Sequence, residues 1–265
     1  MRPGKGNGHG DREGDKEVGG QNQGDTRGLK MKFYEKTCPN VDVEKIVETI
    51  TWKNASGNPS LGAKLLRMHL HDCFVTFQKR MWEVPLGRRD GRSSLASEAF
   101  KNLPSPSSNF QILRKDFDDK GLDIRDLVAL SGAHTLGITQ CGMISTRLFN
   151  FTGKGDTDPS IEKSYAEALR SKCRQRDGTV LEMDPGSSKF FDGNYYKIVN
   201  QKKGIFESDA TLLTNNFASS LVKEFEDNNK FFAAFTTSMV KMEAQVYLLG
   251  KMKERLGESA DSLIK

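Results

Sequence analysis

The chain has 265 residues, 36% of them hydrophobic, so it is long enough to bury a sizeable core as one large domain or two modest lobes. Its 40 basic and 35 acidic residues leave a formal charge of +5. There is no sustained Lys/Arg run and no zinc-finger or aromatic-basic pattern, which argues against a nucleic-acid partner. No stretch reaches the roughly 18 to 20 apolar residues that a membrane-spanning helix requires, so we expect no membrane insertion. The N-terminus has no apolar signal core, which predicts that the chain as written stays in the cytosol.

Residues 1–29 differ in composition from the rest of the chain. They contain nine glycines and almost no apolar side chains. Such a segment cannot bury enough apolar surface to offset the entropy lost on ordering. We therefore predict a disordered, glycine-rich tail over 1–29 and a globular domain over 30–265.

Apolar residues in the globular part recur every three or four positions, the spacing of amphipathic helices. The first such segment, "VDVEKIVETITW", places Val43, Ile46, Val47 and Ile50 on one face, and "NPSLGAKLLRMHLHDC" begins a second helix after a proline and a serine. The later helical segments are "NFQILRKDFDDKGL", "DIRDLVALSGAH", "PSIEKSYAEALRSKC", "DGNYYKIVNQKK", "NFASSLVKEFEDNN" and "KFFAAFTTSMVKME". The predicted fold class is mainly α.

The segment "LLRMHLHDCFV" carries several polar groups on an otherwise apolar helix. Arg67 and His71 are four positions apart and project from the same face, so a cation and a titratable base share one wall. A hydrogen-bonded core histidine beside an arginine that extends to solvent is the simpler alternative. A metal site of His69, His71 and Cys73 fits poorly, because alternate helical positions point about 200° apart.

A second segment, "DLVALSGAHTLGITQC", places His134 directly after a predicted helix. The small residues Ser131, Gly132 and Ala133 precede the histidine, and we expect them to let a flat group approach the backbone closely. Neither segment is unusual alone, but a histidine after small residues together with a paired Arg and His elsewhere is a highly specific combination of motifs.

Together with "FYEKTCPN", "VPLGRRDG", "NLPSP", "RLFNFTGKGDTDPS", "FFDGNYYK" and "GIFESDATLL", these segments resemble the secreted plant haem peroxidases of class III. The resemblance covers about residues 30–243. It implies the haem peroxidase fold, with haem b between a distal and a proximal helix. It also implies oxidation of phenolic or similar donors by hydrogen peroxide, as in peroxide removal and the response to oxidative stress. Hydrogen peroxide and small aromatic donors are then the partners, and the family implies a monomer outside the cell.

Five residues acquire haem-related roles from this resemblance. His134 matches the proximal iron ligand, and Asp209, in "ESDATLL", matches the carboxylate that accepts its N–H. His71 matches the distal acid and base, and Arg67 matches the cation that stabilises charge during O–O cleavage. Pro104, in "NLPSP", matches the position that lines the entrance for aromatic donors, although a plain turn proline is the alternative.

The resemblance further implies a calcium site beside the proximal helix. Its ligands would be oxygens of Thr135, Asp184, Ser187 and Asp192 and the carbonyl of Phe190. Hard oxygen donors of this kind suit Ca²⁺. The alternative for Asp184 and Asp192 is that they cap helices near a turn.

The cysteines match the family only in part. Cys141 and Cys173 match a family disulfide, whereas Cys38 and Cys73 match half-cystines whose partners are absent from this chain. The resemblance therefore implies one disulfide and two unpaired cysteines.

The chain departs from the family after "HDCFV", where it reads "TFQKRMWEVPLGRRDG". The family continues there with a calcium-binding run, an asparagine that orients the distal histidine, and several helices. We predict that a helical block is missing after about residue 75. Of the distal calcium ligands only Asp72 and the carbonyl of Val75 remain, so that site is expected to be lost.

Leu70 also stands where an aromatic residue usually precedes the distal histidine, and the segment from "QVYLLG" onward is atypical. These departures predict a peroxidase with impaired activity. Two alternatives stay open at this point. One is a non-catalytic remnant from a truncated gene model or splice variant, and the other is a cytosolic metal-binding helical protein.

Overall fold

The computed structural model describes residues 32–58, 61, 64, 103–173 and 178–242. The helices in this part of the chain are α1 (Phe33–Thr37), α2 (Val43–Gly57), α3 (Phe110–Asp118), α4 (Ile124–Ser131), α5 (Ser145–Phe149), α6 (Lys163–Cys173), α7 (Asn194–Asn200), α8 (Glu207–Ala210), α9 (Asn216–Glu224) and α10 (228–242). Three 3₁₀ turns connect some of them, at Gly132–Thr135, Cys141–Ile144 and Thr211–Thr214. The mainly-α prediction is confirmed.

Side-chain caps fix the starts of three predicted helices. The Asn109 side chain accepts the backbone N–H of Ile112 at 3.0 Å and begins α3. Asp123 forms a reciprocal capping box with Asp126 at the start of α4. Asn215 caps α9. Each cap satisfies backbone donors that a helix leaves without an intrahelical partner, so these boundaries follow from local sequence.

Two short strands are present that the sequence did not predict. Strand β1 (Ile138–Gln140) pairs antiparallel with β2 (Val180–Glu182), with Thr139 opposite Leu181. Each strand is only three residues long, and its central residue alone is buried. Strand β1 follows the turn that contains His134, and its pairing with β2 brings residues 180–182 next to it.

The described helices pack around two buried clusters. The larger cluster joins α3, α4, α7, α9 and α10, and its aromatic centre consists of Tyr196, Phe225, Phe231 and Phe235. The smaller cluster joins α5, α6 and β2 around the two cysteines of the disulfide. Most of the predicted helices bury the face that their apolar spacing indicated.

Helix α2 differs from this pattern. The helix is present as predicted, but Ile46, Val47 and Ile50 are about half exposed. Neither buried cluster includes a residue of α2. The spacing therefore predicted the helix correctly, but not the burial of its apolar face.

A buried ion pair joins three segments that surround the smaller cluster. The Arg147 guanidinium donates to Asp158 at 2.6 Å, to the carbonyl of Gly204 at 2.6 Å and to the Ser160 hydroxyl at 3.3 Å. The side chains of Arg147 and Asp158 are 5% and 2% exposed. Burial raises the pKa of Asp158, but its hydrogen bonds with Arg147 and Ser160 outweigh this effect and hold the pKa below its usual range.

Replacing Asp158 by asparagine is expected to lower the free energy of unfolding by about 3 kcal/mol, because it leaves the Arg147 charge buried without its counter-ion. The matched control is Asp118→Asn, which breaks an exposed pair with Arg114 and should change stability by less than about 1 kcal/mol. Urea unfolding at neutral pH measures both. Equal losses in the two variants would contradict this account.

The ion pair also makes stability depend on pH. Because folding lowers the pKa of Asp158, the carboxylate stabilises the fold at pH values above the ordinary aspartate pKa. This stabilisation is lost as the pH falls through the lowered pKa of the folded state.

Several predictions concern residues outside the described part of the chain. These are the tail over 1–29, the block missing after about residue 75, and the residues His69, Leu70 and Cys73. Among the described helices, none combines the length and apolar character needed to span a bilayer.

Candidate active site

His134 lies on a tight turn that follows directly from α4. The capping box of Asp123 and Asp126 starts this helix, and the 3₁₀ turn Gly132–Thr135 continues it. Leu136 is extended and ends the turn. The histidine is thus held by a short buried helix, and its side chain remains 34% exposed.

Asp209 is the polar partner of His134. The Nδ1 atom of His134 lies 2.8 Å from Oδ1 of Asp209, although 75 positions separate the two residues. The Asp209 side chain is 1% exposed, and its other oxygen, Oδ2, accepts the backbone N–H of Phe206 at 2.8 Å. The Tyr195 hydroxyl donates to Oδ1 at 2.9 Å. The structure therefore brings together the two residues that the sequence assigned to the proximal side.

Hydrogen bonding keeps the Asp209 carboxylate ionised in a buried place. Burial alone raises the pKa of Asp209, but His134, the Phe206 N–H and the Tyr195 hydroxyl outweigh it and lower the pKa. In a neutral imidazole, a carboxylate acceptor at Nδ1 favours the tautomer that carries its proton on Nδ1, and this tautomer leaves the Nε2 lone pair available. No hydrogen bond to Nε2 is found among the described residues. This arrangement fits a ligand of haem iron, because such histidines donate their other N–H to a carboxylate or carbonyl.

The structure gives Gly132 a different role from the one predicted. A Cβ atom at this position would lie 2.3 Å from the Tyr196 hydroxyl oxygen and 2.5 Å from the Phe231 ring. The small residue therefore makes room for two core aromatic side chains. The prediction that Gly132 admits a flat group was wrong, because its free side faces the larger buried cluster.

The predicted calcium ligands converge next to His134. The Thr135 hydroxyl lies 2.9 Å from Asp184 Oδ2, 3.3 Å from the Phe190 carbonyl and 3.4 Å from Asp192 Oδ1. The Ser187 hydroxyl donates to Asp192 Oδ2 at 2.7 Å. All five predicted oxygen-bearing residues are thus joined in one network.

This network places negative charge in a buried position. Asp184 is fully buried, and burial, together with the charges of Asp192 and Glu182, raises its pKa to about 6. Asn194 donates to Asp184 Oδ1 at 2.6 Å. No ion pair with Asp184 or Asp192 is found in the described ranges. Two carboxylates, two hydroxyls and a carbonyl, arranged in this way, fit Ca²⁺.

The described residues contain no group of three or more His, Cys, Asp or Glu side chains that would hold a metal ion. Cys141 and Cys173 are linked to each other, with Cα atoms 5.5 Å apart, so neither offers a thiolate. Cys38 is free, as the resemblance implied, and Cys73 lies outside the described residues.

Pro104 lies exposed in the loop that leads to α3. Two residues later in this loop, the carbonyl of Pro106 accepts the backbone N–H of Ser208 at 3.0 Å. Ser208 is adjacent to Asp209, so the loop is attached to the segment that carries the proximal carboxylate. The contact is made by Pro106, and the predicted role of Pro104 stays a prediction.

The four distal residues cannot be related to this site by the structure. Arg67, His71, Asp72 and Val75 all lie outside the described residues. What the structure describes is the proximal half of the predicted machinery.

Two residues of the site were not predicted from the sequence. Tyr195 contacts the carboxylate of Asp209, and Asn194 contacts the carboxylate of Asp184. Both lie in "FFDGNYYK", which was recognised only as a family segment and as a helix. An aromatic pair at the start of a helix is typical of core residues, so no sequence signal pointed to the hydroxyl of Tyr195.

The mainly-α fold, the histidine held by a buried carboxylate and the neighbouring oxygen cluster match the arrangement that the sequence resemblance implied. The peroxidase family model matches residues 76–228, a range that includes His134 and Asp209 and begins after Arg67 and His71. The chain is 38% identical to Peroxidase 24 of Arabidopsis thaliana over 293 aligned positions, covering 84% of this chain and 83% of that protein. It is 39% identical to Peroxidase 39 of the same plant, covering 81% and 86%. For Peroxidase 27 the identity is 38%, with coverage of 88% and 91%.

The chain therefore belongs to the family of class III plant peroxidases. It is a haem peroxidase, an oxidoreductase that uses hydrogen peroxide to oxidise a donor.

Proposed function

We propose that His134 is the proximal ligand of haem b and that Asp209 sets the electron density of its imidazole. The observation that carries this proposal is the 2.8 Å contact between His134 Nδ1 and the buried Asp209 carboxylate. When bound, haem supplies an iron with one open position at which the O–O bond of hydrogen peroxide is cleaved. Asp209 holds the proton of the imidazole at Nδ1 and orients the ring so that Nε2 is free to bind iron.

On the distal side we assign the proton transfers to His71. Its imidazole would take the proton from the inner oxygen of hydrogen peroxide and return it to the outer oxygen, which leaves as water. Arg67, on the same helical face, would stabilise the negative charge that develops during cleavage. The spacing of four residues between them supports their placement on one face of a helix.

The electron donors are small aromatic molecules such as phenols. Pro104 is assigned to the entrance for these donors, and the hydrogen bond between Pro106 and Ser208 supports a loop held near the proximal segment. By family resemblance we assign the chain to the extracellular space as a monomer that acts in peroxide removal and the response to oxidative stress.

The distal side of this chain is incomplete. The alignment with Peroxidase 24 occupies 293 positions, more than the 265 residues of the whole chain, although it covers 84% of it. Gaps within this chain make up the difference, which supports a missing block. We place it after about residue 75 because the sequence departs from the family pattern there. With only Asp72 and Val75 left as distal calcium ligands, we infer that the distal ion is lost and that turnover is slowed.

Peroxidase activity of the haem-loaded chain tests the proposal directly. The purified chain, supplied with one equivalent of haem, is expected to oxidise guaiacol in the presence of hydrogen peroxide at a rate above that of free haem. The matched control is the Asp209→Asn variant at equal haem loading, which should be slower because the imidazole loses its ionised acceptor. A rate equal to that of free haem would contradict the proposed function.

A proximal calcium ion is assigned to Thr135, Asp184, Ser187, Asp192 and the Phe190 carbonyl. We expect calcium to raise the free energy of unfolding by about 2.7 kcal/mol when its concentration is about 100 times the dissociation constant. Asp192→Asn should abolish most of this gain, because it removes a charged ligand from the cluster.

The matched control for this prediction is Asp156→Asn. Asp156 bonds with Thr152 in a turn outside the calcium cluster, so its replacement should leave the response to calcium unchanged. Urea unfolding with calcium and with a chelator measures each response. A full calcium effect in Asp192→Asn would overturn the assignment.

A further inference from the structure

We propose that Tyr195 is a positioning residue that limits how strongly Asp209 polarises the imidazole of His134. Its hydroxyl donates to Oδ1 of Asp209, the same oxygen that lies against His134 Nδ1. This inference rests on the proposed role of His134 and adds a residue that regulates the same site.

The geometry makes the two donors direct competitors. The phenol oxygen lies 2.9 Å from Oδ1, and the imidazole Nδ1 lies 2.8 Å from it. The backbone N–H of Phe206 engages Oδ2 instead. Tyr195 is 1% exposed, so water does not replace its hydroxyl. The two rings lie nearly perpendicular, with their centroids 6.0 Å apart.

Sharing an acceptor weakens each hydrogen bond to it. A donor to a carboxylate stabilises its negative charge and thereby lowers its affinity for another proton. This effect is strong in a buried place, where the effective dielectric constant is low. The hydrogen bond from Tyr195 to Oδ1 therefore weakens the hydrogen bond between the same oxygen and His134 Nδ1. Because a stronger carboxylate bond makes a histidine a more basic ligand, Tyr195 reduces the electron density that His134 offers to the iron.

The neighbouring Tyr196 provides a matched control. It is also fully buried, but its hydroxyl donates to the carbonyls of Val128 and Ala129, at 3.0 and 3.2 Å. Removing this hydroxyl deletes a buried hydrogen bond of the same kind without touching Asp209. A purely structural effect of losing a phenol would appear in both variants.

The test compares the haem-loaded chain with Tyr195→Phe and Tyr196→Phe. We expect Tyr195→Phe to raise the iron–histidine stretching frequency in the ferrous resonance Raman spectrum and to shift the ferric/ferrous reduction potential to more negative values. Tyr196→Phe should leave both quantities at the values of the unmodified chain. Equal frequencies and potentials in the two variants would overturn the inference.

Two further variants extend the test, and the first of them does not depend on the folding of the Phe variant. Site-specific 3-fluorotyrosine at position 195 preserves shape and hydroxyl but is a stronger donor, so it should shift both quantities in the opposite direction. In an Asp209→Asn background, Tyr195→Phe should add no further shift, since Tyr195 acts through that carboxylate. A shift in the same direction as Tyr195→Phe, or a full further shift in that background, would contradict the inference.

The outcomes separate the two proposals. If the unmodified chain takes up no haem, or binds it without His134, the proposed function fails and this inference fails with it. If haem is bound through His134 but Tyr195→Phe behaves like Tyr196→Phe, only the role of Tyr195 is refuted.

Discussion

Restoring the family's distal block after residue 75 is expected to raise the rate of reaction with hydrogen peroxide by about 10²-fold, within the 10²- to 10⁴-fold range typical of general acid–base catalysis. The physical reason is orientation. In our proposal, His71 transfers the proton efficiently only if a partner holds its imidazole, and the resemblance places the asparagine that would do so within the block proposed to be missing. The proximal pair of His134 and Asp209 is complete, so haem binding should not limit the comparison.

Three proteins distinguish the effect of the missing block from the effect of the single residue Leu70. They are the unmodified chain, a Leu70→Phe variant and a block-restored chimera, each loaded with haem and mixed with hydrogen peroxide in a stopped-flow absorbance experiment. Leu70→Phe should produce a much smaller gain than the chimera, because it restores only part of the wall that shields the iron. Adding His71→Ala to the chimera should remove the gain. If the unmodified chain reacts as fast as the chimera, the missing helices are not needed for this step.

The helices were predictable because their signals are local. Apolar residues at three- and four-residue spacing predicted α3, α4, α6, α7, α9 and α10. The caps Asn109 and Asp123 directly precede the helices that they begin. The strands β1 and β2 were missed because three residues give no reliable alternation. Burial of the α2 face was also not predictable, since exposure depends on what packs there and not on spacing.

The site was predictable in identity but not in geometry. The resemblance named His134 and Asp209, whereas their contact across 75 positions depends on the packing of α4, α7 and α8. The role of Gly132 was inferred wrongly, because a small residue indicates that another group approaches closely but does not indicate which group. Tyr195 was missed for a related reason. Buried tyrosines are ordinary core residues, and only the structure shows which acceptor the hydroxyl reaches.

The second large effect concerns the iron ligand itself. Replacing His134 by alanine is expected to abolish stoichiometric haem uptake, because it removes the imidazole that we propose as the proximal iron ligand. The His134 side chain is 34% exposed and belongs to neither buried cluster, but its removal leaves the buried Asp209 carboxylate without one partner, so we also expect some loss of stability. Urea unfolding of the haem-free variants checks this point.

Haem stoichiometry in His134→Ala and His69→Ala, measured side by side, tests the central claim most directly. His69 is the matched control, a histidine in the distal segment to which the resemblance assigns no contact with iron. Both proteins are titrated with haem and followed at the Soret band, and the iron bound per chain is counted after gel filtration. The account predicts about one haem per chain in His69→Ala and a large loss in His134→Ala. Equal haem occupancy in the two variants would contradict the assignment of His134 as the proximal ligand.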